Sequence, residues 1–356
     1  MIGYYAHQHG SGHCNFAEIF SEVFRDEMVI FTSQTFKFSK NSKIFKLADE
    51  NPDGSAFAGN QIEPPSYLHY SPVGQQSIKV RSLQLLKHIV ELDIHFLIVD
   101  VSAEISALCR AASVPYAYVR LPGKRNDSAH LEAYKGAVFL LAYFPKNFEM
   151  DSTPDWVKKK TIYLGFLSKK NHGRGTRELS HRIEQITVIS GNGGNKNLQH
   201  FIPKLLERFE EAKIKLLGNY ENQYSNSRLH YFGFIRQPEK EILGSDLIVA
   251  NCGLNTVSEL TQIPIPYIAI PEDRPFDEQK TIAKLLYRNK LAIDYETILN
   301  LSDQEILNYT KMIEHNQGKE NLLRFKQLLF ENNRALPRIP EFFEKQAQTK
   351  NYEFQG

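Results

Sequence analysis

Thr256 and Glu259 stand three residues apart at the start of what reads as a helix, directly after the small polar turn Asn251-Cys252-Gly253. The turn closes the apolar run from Asp246 to Ala250, so the local order is strand, turn, helix. A helix start offers unpaired backbone N–H groups and the positive end of the dipole, and Asn255, Thr256 and Ser258 add side-chain donors. That chemistry suits a diphosphate. A carboxylate at Glu259 would repel a phosphate but accept hydrogen bonds from a sugar diol beyond it. Gly253, Leu254, Asn255, Thr256 and Glu259 together therefore suggest a nucleoside diphosphate with its ribose on Glu259. The competing explanation is a capping box in which Thr256 and Glu259 stabilise an ordinary helix.

Three other clusters offer chemistry. His7-Gln8-His9-Gly10-Ser11-Gly12-His13 is a turn whose glycines let the backbone approach a ligand; lacking a third glycine, it is a weaker relative of the dinucleotide fingerprint. Gly191, Asn192, Gly193 and Gly194 follow the apolar run 186–190 and form a second phosphate cradle, without the lysine of a P-loop, so NTP hydrolysis is not expected. Arg120, Lys124, Arg125, Asp127 and His130 crowd the carboxyl end of another strand. Arginines there suit a phosphate or carboxylate on an acceptor, while a local Arg125 to Asp127 ion pair is the bland alternative. Asp100 ends the strand 95–100 and faces the same crevice, where it is placed to orient a histidine.

The elements that must position these groups alternate in a βαβ rhythm, which predicts α/β architecture with parallel sheets. In the first half, strands are expected at 1–6, 28–32, 95–100, 114–119 and 138–142, and helices at 14–24, 77–92 and 102–112. In the second, strands fall at 186–190, 214–218, 230–235, 246–250, 263–270 and 291–294. Helices fall at 198–212, 238–244, 280–289, 299–316 and 319–332. The polar stretch between about 165 and 180 reads as a linker, giving domains 1–165 and 181–335 and a final segment, 336–356, that returns to the first domain. Residues 49–72 form a long irregular connection that would border the acceptor cleft. Lys37, Lys40, Lys43 and Lys46 interleave with Phe36, Phe38 and Phe45, a pattern that suits an anionic membrane surface or, more plainly, a solvated edge strand.

At 356 residues the chain accommodates two such domains, and a net charge of +2 is too mild to imply nucleic acid. Cys14, Cys109 and Cys252 lack metal-ligand spacing, and no apolar run marks a signal peptide or a membrane span. A cytoplasmic location without disulfides is the expectation.

The stretch Gly253 to Glu259, followed by Pro271 and Glu278-Gln279, resembles the nucleotide-sugar signature of GT-B glycosyltransferases, whose two Rossmann-like domains face each other across a cleft. The likeness is strongest to the peptidoglycan N-acetylglucosaminyltransferase family, over the C-terminal half. The resemblance implies a UDP-sugar donor, its diphosphate at Gly253 and Thr256 and across the turn Gly191 to Gly194, and its ribose on Glu259. It places the uracil at Ile235 beside Phe234, and the sugar at Glu278 and Gln279, where the family more often has Gln in place of Glu278. It matches His13 to the family's histidine, the base that deprotonates an acceptor hydroxyl, with His7 and His9 as competitors. His9, Gly12, Arg120, Arg125, Asp127 and His130 would contact the acceptor. The reading is an inverting transferase, with no cofactor beyond the nucleotide-sugar substrate, acting on a lipid-linked or other glycan acceptor. No Asp-x-Asp pair calls for a metal, and any association with the inner membrane face is expected to be peripheral. The rivals are an enzyme resembling UDP-N-acetylglucosamine 2-epimerase, with Asp100, Asp127 and Glu278 as its acids and bases, and an inactive nucleotide-sugar-binding protein.

Overall fold

The computed structural model describes residues 1–8, 10–50, 62–169, 182–191, 194–221, 224–235, 238–309 and 317–331. They form two compact units. The first takes the described residues up to 167, except 122–124, together with 317–331; the second takes 122–124 and the described residues from 168 to 309.

In the first unit, β1 (Ile2–Tyr5), α1 (Gly12–Phe24), β2 (Met28–Thr32) and β3 (Lys43–Lys46) run to one side. They are followed by α2 (Gln76–Glu91), β4 (Phe96–Asp100), α3 (Ala103–Ala111) and β5 (Tyr116–Arg120), and then by α4 (Ser128–Gly136), β6 (Phe139–Ala142), α5 (Asp155–Lys160) and β7 (Thr161–Tyr163). The seven strands pair in parallel in the order β3-β2-β1-β4-β5-β6-β7. Sequences such as IGYY, FLIVD and FLLA are apolar along both faces because helices cover both sides of a parallel sheet. Gly3 in β1 makes room for its neighbours: a Cβ there would lie 2.6 Å from the Leu97 side chain and 2.9 Å from that of Phe31, so one of them would have to shift. Strand order reverses between β1 and β4, so the chain leaves these neighbours in opposite directions and their carboxyl ends border the position where such sheets bind ligands.

The second unit repeats the plan with β8 (Gln185–Ile189), α6 (Lys196–Arg208), β9 (Lys213–Leu217), β10 (Leu229–Gly233), α7 (Glu239–Leu243) and β11 (Leu247–Ala250). The chain continues through α8 (Leu254–Leu260), β12 (Tyr267–Ala269), α9 (Glu278–Arg288), β13 (Ile293–Asp294) and α10 (Asp303–Leu307). Its parallel order is β10-β9-β8-β11-β12-β13, with the reversal between β8 and β11. Each unit has its own apolar core.

Several elements depart from expectation. The first helix starts at Gly12, so His13 belongs to its first turn rather than to the loop before it. The strand expected at 263–270 shortens to β12, since Pro264 and Pro266 cannot donate to a ladder. In place of a long helix over 299–316, α10 is five residues long behind a capping box of Ser302 and Glu305; 310–316 lie outside the described residues. The return to the first unit is made by α11 (Gly318–Glu331), before the expected segment 336–356, which also lies outside the described residues. There Phe325, fully buried, meets Phe20, Phe24 and Phe139 with ring centroids 6.4, 6.3 and 5.7 Å away. Most of the expected linker, 170–180, is not among the described residues either. Among the described residues, no helix is long and apolar enough to cross a membrane. Lys37, Lys40, Lys43 and Lys46 are all exposed, while Phe45 turns inward against Phe31 and His88, as an edge strand requires.

Candidate active site

At the switch point of the first sheet, His13 in the first turn of α1 meets Asp100 at the end of β4, with Nδ1 2.9 Å from Oδ2. Asp100 is fully buried, and the same oxygen accepts a 3.0 Å hydrogen bond from the Tyr4 hydroxyl, itself 3.1 Å from that of Tyr143. Burial, and then the Asp100 carboxylate, push the Tyr4 phenol well above its ordinary value, so it stays protonated and donates. With Nδ1–H held on the carboxylate, Nε2 is the basic nitrogen of His13, and an imidazolium formed there would be stabilised by Asp100. The next residue, Val101, sits at φ 54°, a left-handed backbone that costs a β-branched residue about 1–3 kcal/mol and is typical of strained functional turns. Among the competing bases, His7 faces Glu50 at 3.5 Å, and Glu50 in turn pairs with the buried Arg81 at 2.8 Å. His9 lies outside the described residues.

The polar cluster after β5 divides in two. Arg120 is buried and holds Glu149 bidentately at 2.8 and 3.0 Å, with Thr161 at 2.8 Å, so its guanidinium ties the end of β5 to the segment before α5 rather than joining its neighbours. Arg125, Asp127 and His130 do come together, joined by His69. Asp127 caps α4 and accepts from His130 Nδ1 at 2.5 Å and from His69 Nε2 at 2.9 Å, and Arg125 Nη1 lies 3.0 Å from His130 Nε2. Burial, and then the Arg125 charge, lower His130 to about 4. Burial raises Asp127, but the hydrogen bonds from His130 and His69 prevail and hold it at about 2. His69, Asp127 and His130 place three possible ligand atoms within 4.8 Å of one another. Yet a His130 that accepts from Arg125 at Nε2 and carries its proton on Nδ1 toward Asp127 has both ring nitrogens engaged, which does not suit a metal ligand. Glu104, which sequence reasoning missed, accepts the amides of His69 and Tyr70 at 2.9 Å each and so fixes the loop that brings His69 in.

In the second unit the turns after β8 and β11 meet at the switch point, where Asn251 Nδ2 reaches the Gly194 carbonyl at 3.4 Å. Gly194 has φ 99°, and among the described residues beyond its chain neighbours no heavy atom lies within 4 Å of where a Cβ of Gly191 would be; Asn192 and Gly193 lie outside the described residues. Helix α8 begins after Gly253 with no side-chain cap, so Thr256 and Glu259 do not form the capping box that was the alternative. Asn255, Thr256 and Glu259 are partly exposed along one side of this helix, whereas Leu254 is buried. Ser258 is not an outward donor: it is buried and its hydroxyl returns to the Leu254 carbonyl at 2.7 Å. Burial pushes the Cys252 thiol up, which suits a filler and not a nucleophile.

The pair Glu278-Gln279 splits in role. Glu278 is partly exposed at the start of α9, while Gln279 is buried and its Oε1 accepts from the amides of Cys252 at 3.1 Å and Glu272 at 2.9 Å, clipping the two turns together. Glu272, also missed from sequence, fills the start of α6: its carboxylate accepts from the amides of Asn197 and Leu198 at 3.0 Å. Phe234 is 70% exposed just beyond β10, too open for a core residue, with Ile235 partly buried beside it.

Two Rossmann-like units with polar groups gathered at both switch points are the architecture of GT-B glycosyltransferases, and solved structures of that fold match nearly the whole chain. The structure of MurG from Acinetobacter baumannii aligns with TM-score 0.55 at 13% identity, over 98% of this chain and 99% of that one. The spinosyn rhamnosyltransferase SpnG, solved also with thymidine diphosphate, aligns with TM-score 0.57 at 10% identity, over 98% and 100%. Among curated proteins the chain is similar to UDP-N-acetylglucosamine–N-acetylmuramyl-(pentapeptide) pyrophosphoryl-undecaprenol N-acetylglucosamine transferases. The one from Rickettsia bellii is 28% identical over 158 residues, 38% of this chain and 44% of that protein. The one from Cytophaga hutchinsonii is 23% identical over 196 residues, 51% and 53%. The chain thus spans about half the length of the curated relatives it matches. No family model matches it.

Proposed function

We propose that the protein is an inverting glycosyltransferase that moves a sugar from a UDP-sugar, held by the second unit, to a hydroxyl of a lipid-linked glycan bound by the first. The observation that carries this reading is the His13–Asp100 pair, a base with its tautomer fixed by a fully buried carboxylate. His13 Nε2 takes the acceptor proton as the hydroxyl oxygen attacks the anomeric carbon, and the bond to the diphosphate breaks on the opposite face, inverting the centre. Backbone donors at Gly253 to Thr256 and around Gly191 and Gly194 stabilise the departing diphosphate, the work a divalent ion does elsewhere, so the reaction is metal-independent. Phe234 and Ile235 flank the base, Glu259 the ribose, and Glu278 the sugar. The exposed lysines of 37–46 draw the protein to the anionic membrane surface where such an acceptor resides. The epimerase reading is weaker, because Asp100 and Asp127 both serve histidines.

UDP at ~100 times its dissociation constant should stabilise the fold by about 2.7 kcal/mol. Transfer from UDP-sugars to a polyprenyl-linked acceptor in anionic vesicles should fall about 10²- to 10⁴-fold in His13→Ala while UDP binding persists. Retained turnover in that variant rejects His13 as the base, and absence of a shift with UDP rejects the donor site.

A further inference from the structure

Of the charged side chains in the loop Pro271 to Gln279, Glu272 is engaged by the first amides of α6, and Asp273 pairs with Lys280 at 2.6 Å. Arg274 differs. It is partly buried and makes no ion pair and no side-chain hydrogen bond among the described residues. Its guanidinium reaches the phosphate-type turn: a Cβ added at Gly194 would meet Arg274 Nη2 at 4.0 Å, and among the described residues beyond its chain neighbours no other heavy atom lies within that distance. Asn251 donates to the carbonyl of the same glycine at 3.4 Å.

We infer that Arg274 is the cation that binds the donor's diphosphate, an inference that rests on the second unit's being the donor domain. The charge arrangement calls for one. A diphosphate brought to Gly194 arrives near the Glu272 carboxylate, which already fills the amides that begin α6. Helix α6 therefore cannot supply its usual attraction for an anion. Lys280 is held by Asp273, which also feels the charge of Lys196. Lys196 is an exposed ammonium at the start of α6, whereas Arg274 is the cation that lies against Gly194, and its planar fork matches two phosphate oxygens at once in a way that an ammonium does not. The missing Cβ at Gly194 leaves the space in which phosphate oxygens reach that fork.

The test compares UDP with uridine on the full-length protein, UDP by calorimetry and uridine by ligand-observed NMR. Arg274→Gln should weaken UDP by about 10- to 100-fold and leave uridine unchanged, as expected for loss of a charge-assisted contact. Arg274→Lys should recover part of that loss, and UDP binding to the wild type should weaken with salt more steeply than in Arg274→Gln. Equal loss of UDP and uridine would make Arg274 a loop-shaping residue and overturn the inference. Unchanged UDP affinity in Arg274→Gln would overturn it alone, leaving the donor site intact. Wild-type protein that fails to bind UDP would remove the donor reading and this inference with it.

Discussion

Asp100 shows what a single side chain contributes that its neighbours in sequence do not announce. It reads as a polar end to an apolar strand, and its partner His13 is 87 positions away, joined to it by the pairing of β1 with β4. The histidine-rich turn was legible, but three imidazoles of like type compete there, and what marks His13 is the fully buried Asp100 carboxylate that it meets. Arg120 is the opposite case. An arginine at a strand's carboxyl end invites a ligand, and nothing local reveals that Glu149 takes both of its terminal nitrogens. Asp100→Asn keeps the shape and the acceptor for Tyr4, but removes the charge that stabilises the imidazolium and allows the other tautomer. Turnover should fall about 10²- to 10⁴-fold with the donor's KM nearly unchanged. A kcat equal to wild type across the pH range would show that Asp100 does not act through His13.

Helix α4 is an element whose first turn is built from ionisable groups, since Asp127 caps it and His130 both donates to that cap and closes against Arg125. The direction of its pH response follows. His130 titrates near 4 in the folded protein against an ordinary 6.5, so between those values the unfolded chain takes up a proton that the folded one refuses. Stability should fall as pH drops from about 6.5 to 4, by at most about 3 kcal/mol from this group. Asp127, held near 2 against 3.8, extends the loss to lower pH. Urea melts of His130→Asn should show a flatter profile between pH 6.5 and 4, and a slope equal to wild type would reject the assignment. At this scale hydrophobic periodicity located most strands and helices. It failed at α5 and β7, where the lysine run 158–160 conceals a short helix and edge strand, and at β12, where the prolines leave three paired residues. The turn joined by Gln279 was legible as a signature, but the inward aim of that side chain was not, because two amides far apart in sequence set it.

The first unit is discontinuous: α11 completes it, and helical periodicity at 319–332 revealed the helix without revealing which surface it covers. Phe325→Ala should destabilise that unit by about 3–5 kcal/mol, the range for a buried phenylalanine. Trp156, the chain's one tryptophan, lies in the first unit, so its fluorescence isolates that transition. A Trp156-detected midpoint unmoved by the substitution would show that α11 contributes nothing to the unit.

During synthesis this connectivity imposes an order. The ribosome releases all seven strands of the first sheet before it reaches α11, roughly 150 residues later, and at about 5–20 residues per second the delay is on the order of ten seconds or more. Throughout that interval the nascent chain displays Phe20, Phe24 and Phe139 without the helix that will cover them, a sticky face offered to chaperones and to neighbouring polysomes. The second sheet, contained within 185–294, is complete before the first unit acquires α11. The half that begins first is therefore the half that finishes last.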